Sequence, residues 1–142
     1  MKVDRVCDWE RSKPLVLIAE DMESLRRVWA RALRRAGYRV MEAADGQQAV
    51  EAVEQHGHEI AALILDVLMP IMSGPEAYAL VEERCPGLPV LFVSGYVADS
   101  VLPGLSARIR FLKKPFKLST LLSELEAIVA QRDAQVDVSE TA

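Results

Sequence analysis

Five short, mainly apolar runs, separated by segments of helical period, constrain this chain more than any other feature. They are Leu15–Ala19, Tyr38–Ala43, Ala61–Leu65, Val90–Val93 and Ile109–Leu112. Each has the length of a strand rather than a helix. They lack the strict in–out alternation of a strand with one wet face, so they read as strands covered on both sides. The segments between them carry a different period. Met22–Ala36 places Leu25, Val28, Trp29, Ala32, Leu33 and Ala36 on one helical face, and Gly37 closes it in the C′ position. Asp45-Gly46 opens a second helix running to about Gln55. Pro75–Arg84 reads as a third, with proline in its first turn. Asp99–Leu105 reads as a helix interrupted by Pro103 and Gly104, and Leu118–Gln131 as a final amphipathic helix.

Strands alternating with about five helices predict an α/β domain with a parallel sheet. Right-handed crossovers make it doubly wound, with helices on both faces. With 142 residues, 51% of them apolar, the chain fits one such domain. We expect a polar extension over residues 1–13, the domain over 14–130, and a loosely ordered tail over 131–142. The net charge of −4 argues against direct nucleic-acid binding, which needs a basic footprint. Cys7 and Cys85 are in no metal-ligand spacing and suit a reducing compartment. The charged N-terminus is unlike a signal peptide, and no apolar stretch has the length to insert into a membrane. The expected location is the cytoplasm.

Ligands of such sheets bind outside the carboxyl ends of the strands. Glu20 and Asp21 follow the first strand, and Asp66 the third. Ser94 and Gly95 follow the fourth, and Lys113, Lys114 and Pro115 the fifth. Three acids, a hydroxyl and a lysine therefore converge on one edge. Three carboxylates in one place repel one another. A hard divalent cation removes that conflict, and oxygen ligands with water suit Mg²⁺.

The set Glu20-Asp21, Asp66, Ser94 and Lys114-Pro115, each at the end of its own strand, resembles the receiver domain of two-component response regulators. The stretches LILDVLMPIMSGPE and LFVSGY are similar to receivers attached to hybrid sensor kinases. The resemblance spans roughly Pro14 to Val129. It implies a flavodoxin-like sheet of order 2-1-3-4-5. It implies that Asp66 accepts a phosphoryl group from a phosphohistidine on a histidine kinase or histidine phosphotransfer protein. Mg²⁺ would be held by Asp21, Asp66 and the backbone carbonyl of Leu68, with Glu20 acting through a metal-bound water. Lys114 would pair with Asp66 and then with a phosphoryl oxygen, and Ser94 would donate to another. Ser94 and Phe111 would form the switch that alters a surface for a downstream protein target. Leu68 and Tyr96 would flank the path of an attacking water and slow phosphate loss. The resemblance also suggests a cis Lys114–Pro115 bond. It implies a phosphoacceptor switch rather than an enzyme, and leaves a homodimer open.

Taken singly, these residues have ordinary explanations. Asp21 suits a helix N-cap, Glu20 an exposed loop, Ser94 a cap and Lys114 a solvated surface. Asp66 is harder to explain away, because an unpaired acid after a buried strand is costly. Arg26, Arg27, Arg31, Arg34 and Arg35 form a charged helix face, read first as solvated and otherwise as docking for an acidic partner helix. Trp29 belongs to the core stripe, and His56 and His58 to a loop away from the strand ends. Met1 at the head and the tail to Ala142 favour a stand-alone receiver over one excised from a hybrid kinase. Two alternatives compete. A degenerate receiver would act as a phosphorylation-independent scaffold. A phosphatase of the haloacid dehalogenase type would want an acid two residues after its nucleophile, where this chain has Leu68.

Overall fold

The apolar runs become strands β1 (Leu15–Ala19), β2 (Arg39–Ala43), β3 (Ile60–Asp66), β4 (Val90–Ser94) and β5 (Ile109–Lys113). The helices are α1 (Glu23–Arg35), α2 (Gly46–His56), α3 (Gly74–Arg84) and α4 (Leu118–Thr141). This computed structural model describes residues 13–95 and 108–141. All strand pairs are parallel, in the order β2-β1-β3-β4-β5. The expected order of the sheet is therefore the observed one. The interrupted helix over Asp99–Leu105, and Tyr96, lie outside the described residues.

Alternate side chains of each central strand enter different cores, which is why these strands are apolar throughout. Leu15, Leu17, Leu63, Leu65, Val90 and Phe92 meet α2 and α3 through Ala49, Val53, Ala77 and Val81. Val16, Ile18, Ile64, Leu91 and Val93 meet α1 and α4 through Trp29, Leu33, Leu121, Leu125 and Ile128.

Local chemistry sets the helix ends. Asp45 caps α2 by accepting from the Gln48 N–H at 2.8 Å. Ser73 and Glu76 form a reciprocal capping box on α3, with Pro75 in the first turn. Gly37, at φ 101°, ends α1 in a conformation that costs other residues strain.

The structure extends several elements beyond the sequence reading. β3, β4 and β5 each take in one polar residue more: Asp66, Ser94 and Lys113. The ladder explains this, because Val67 N–H still donates to Val93 O at 2.9 Å and Lys114 N–H to Ser94 O at 2.6 Å. His56 closes α2 instead of lying in a loop. The tail read as loosely ordered from residue 131 continues α4 to Thr141. Residues 131–141 contain neither proline nor glycine, so nothing local stops the helix.

Gly74 sets the turn behind β3. A β-carbon there would sit 2.4 Å from the Asp66 carbonyl oxygen. Gly74→Ala is expected to cost about 1–3 kcal/mol, through forced movement of the Asp66 backbone. Urea unfolding of the two proteins, compared at equal slope, checks this.

Candidate functional site at the carboxyl edge of the sheet

The register brings the strand ends level. Ala19 lies beside Leu65, Asp66 beside Val93, and Ser94 beside Lys113. The residues that follow each end share one shallow edge. Carboxylate oxygens of Glu20, Asp21 and Asp66 come within 4.8 Å of one another. Glu20 is 2% exposed and Asp66 5%, while Asp21 stands at the surface.

Two buried acids side by side need a cation. Lys114 supplies it. Its Nζ donates to Glu20 Oε1 at 2.9 Å and to Asp66 Oδ2 at 3.0 Å. Burial pulls the lysine pKa down, but hydrogen bonds and charge from Glu20 and Asp66 outweigh it and hold it above the ordinary value. The remaining carboxylate oxygens take backbone donors. Met22 N–H donates to Glu20 Oε2 at 3.0 Å and Leu68 N–H to Asp66 Oδ1 at 3.3 Å. The backbone of Glu20 is fixed too, by Ala43 O at 3.1 Å and by Arg26 Nη1 at 2.8 Å.

Most sequence-predicted residues meet here. Asp66, Glu20, Asp21 and Lys114 form the cluster, and Ser94 is buried at the adjoining strand end. The Lys114–Pro115 bond is cis. Lys113, the neighbouring lysine, is exposed. Leu68 is 53% exposed beside Asp66. Phe111 pairs with Phe92 in the sheet and packs, half-buried, on the α2–α3 core.

Three details differ from the sequence reading. Asp21 does not cap α1, because Met22 holds the N-cap position. Arg26 leaves the solvated arginine face, turning in to Glu20 O and to Glu42 at 3.0 Å. Trp29 is core, as its helical stripe predicts, but its ring also lies 5.5 Å from Lys114 Nζ. A contact across so much chain leaves no local signal. Among the described helices, none is long and apolar enough to cross a membrane.

The model of the response regulator receiver domain matches residues 16–126. The chain belongs to the response regulator receiver family. The response regulator receiver protein CpdR of Brucella abortus is 33% identical over 116 residues, covering 80% of this chain and 95% of that one. The sensor kinase CckA of the same organism is 36% identical over 134 residues, 93% of this chain, but the match spans 14% of the kinase. The crystal structure of a receiver domain from the hybrid histidine kinase CckA superposes with a TM-score of 0.71 at 35% identity, covering 81% of this chain and 98% of that one.

One residue of the receiver cluster is held against its preference. Though it stands at the surface, Asp21 has its pKa raised, first by partial desolvation and then by the hydrogen bond and charge of Glu20, against the smaller pull of its own backbone N–H and Lys114. A raised folded pKa means that ionised Asp21 costs stability above that pKa, and the cost vanishes below the unfolded value. Asp21→Asn is therefore expected to raise the melting temperature at pH 7 in EDTA, by about 1–3 °C, with a smaller difference at pH 4. Scanning calorimetry at both pH values measures it.

Proposed function

We propose that this receiver is a phosphoacceptor switch in which Asp66 takes a phosphoryl group from a phosphohistidine. The observation that carries the reading is the Lys114 ammonium on Asp66 Oδ2, in a cluster of three carboxylates. A structural ion pair needs one acid. This arrangement leaves an excess of negative charge that a cation would complete.

Glu20, Asp21 and Asp66 fit a hard divalent ion, since each offers an oxygen at the same place. Asp21 and Asp66 would hold Mg²⁺ with the Leu68 carbonyl, Glu20 acting through a metal-bound water, and the ion would supply charge neutralisation at the acceptor. The chain's own residues do the rest. An Asp66 carboxylate oxygen forms a bond to phosphorus as the phosphorus–nitrogen bond of the donor breaks, and the imidazole nitrogen keeps the electron pair. Lys114, already at Asp66, meets the charge carried by the transferred group. Ser94 donates to another phosphoryl oxygen, and Gly95 beside it leaves room. No residue is consumed, and the product is a modified state of the protein itself, so the role is a switch rather than an enzyme.

The output is a protein contact. Movement at Ser94 and reorientation of Phe111 bias the surface around β5 toward a downstream target. Phe111 has no hydroxyl to desolvate, so its inward position is open without phosphate. The donor is a histidine kinase or a histidine phosphotransfer protein in the cytoplasm. Arg27, Arg31, Arg34 and Arg35 line a hollow of about 550 Å³ on α1 with Glu42, a face suited to an acidic partner.

Intact mass after incubation with Mg²⁺ and phosphoramidate tests the acceptor. An adduct of about 80 Da is expected, absent in Asp66→Asn and in EDTA. If phosphohistidine donors also leave the mass unchanged, the phosphorylation-independent scaffold takes its place. Leu68 neither orients nor admits water well, so Leu68→Asn should shorten the adduct's half-life several-fold. Equal decay of the two adducts would remove Leu68 from the account of lifetime.

A further inference from the structure

Trp29 sits where a helix stripe would put any large apolar residue, and it is 2% exposed. Filling the core does not require the particular contact it makes. Lys114 Nζ lies 5.5 Å from the centroid of the Trp29 ring, within the range at which an ammonium is drawn to an aromatic face. Phe116 packs on the same ring, with centroids 5.5 Å apart and planes tilted by 34°. Leu25, Trp29, Lys114, Pro115 and Phe116 line a cleft of about 250 Å³. The ammonium thus has two carboxylates and an indole around it, and the stem behind it lies along an apolar wall.

This matters because a lysine is a point charge on a flexible four-carbon stem. Its carboxylate partners alone would not keep it in place through the reaction. When Asp66 becomes an acyl phosphate, the oxygen that carried charge toward Lys114 becomes part of a mixed anhydride. One of the two ion pairs is then remade with a phosphoryl oxygen. The quadrupole of the indole is the same before and after. We propose that Trp29 is a positioning residue for phosphoryl transfer, its ring face holding the Lys114 ammonium at Asp66 while the charge on that carboxylate changes. The inference rests on the phosphoacceptor reading above. It also gives α1 a direct contact with the reacting charge.

The test compares the parent with Trp29→Phe, which keeps an aromatic face, and Trp29→Leu, which keeps apolar bulk without one. Circular dichroism confirms that each is folded. Two quantities are then read. The first is the NMR shift of the Lys114 ε-protons, assigned by their loss in Lys114→Arg. The second is the rate of phosphoramidate labelling in Mg²⁺ by intact mass. The parent is expected to show ring-shifted Lys114 protons. Trp29→Leu should return them toward free lysine and slow labelling roughly fivefold, and Trp29→Phe should keep more than half the parent rate. Folded Trp29→Leu labelling as fast as the parent overturns the proposal. So does an equal loss in Phe and Leu variants, which would mark volume alone. If Trp29→Leu does not fold, unshifted Lys114 protons in the parent overturn it. A parent that takes no label from any donor fails the phosphoacceptor reading and this inference with it. A labelled parent beside an equally fast Leu variant fails the inference only.

Discussion

The Lys114 ammonium between Glu20 and Asp66 is the interaction on which the rest of this molecule turns. Two carboxylates, nearly closed off from water, stand side by side at the end of a sheet. In a medium of low polarity that arrangement is untenable without a cation. The cation comes from far along the chain, one residue past β5, the strand two places across the sheet from β3. Its pKa stays above the ordinary lysine value despite burial, so it is charged wherever the acids are. Yet one positive charge faces three acids. The site is neutral enough to fold and still carries an excess of acid.

The sheet makes this pairing possible by fixing heights. In a parallel ladder each strand end is placed by its neighbour's register, and here the ladder persists until the chemical residues themselves. Lys114 N–H reaches Ser94 O, and Val67 N–H reaches Val93 O. Backbone hydrogen bonds, rather than side-chain packing, therefore set the level of the site. Gly74 adds a close approach of the following helix to the Asp66 carbonyl. Arg26 adds a clamp on the Glu20 carbonyl.

Much of this was legible in the sequence, for a physical reason. The central strands β1, β3 and β4, buried on both faces, are nearly pure apolar runs, so hydrophobicity alone locates them, while the edge strands β2 and β5 carry charged residues and are only partly buried. The acids, the serine and the lysine then fall at strand ends by inspection. What hydrophobicity does not see is where a ladder stops, and the strands run one polar residue further than the apolar signal. It does not see partners distant along the chain either. The direct Lys114–Glu20 pair joins residues separated by most of the domain, and Arg26 looked like one more member of a solvated stripe. Trp29 matched its stripe so well that nothing set it apart. Asp21 looked like a helix cap because such acids usually are, but Glu20 already takes the Met22 N–H.

The division of the interior has a consequence for how this chain can change. The sheet separates two hydrophobic compartments, one under α2 and α3 and one under α1 and α4. They share strand backbone but not side-chain contacts, so replacements in one are energetically nearly independent of replacements in the other. Trp29, which reaches the lysine, belongs to the α1–α4 compartment, with Phe116 packed at its margin. Positions of the α2–α3 compartment away from the strand ends, such as Val53 and Val81, can therefore be repacked with little feedback on the charge cluster. The opposite compartment is more constrained, because its outer wall is also the wall behind the Lys114 ammonium.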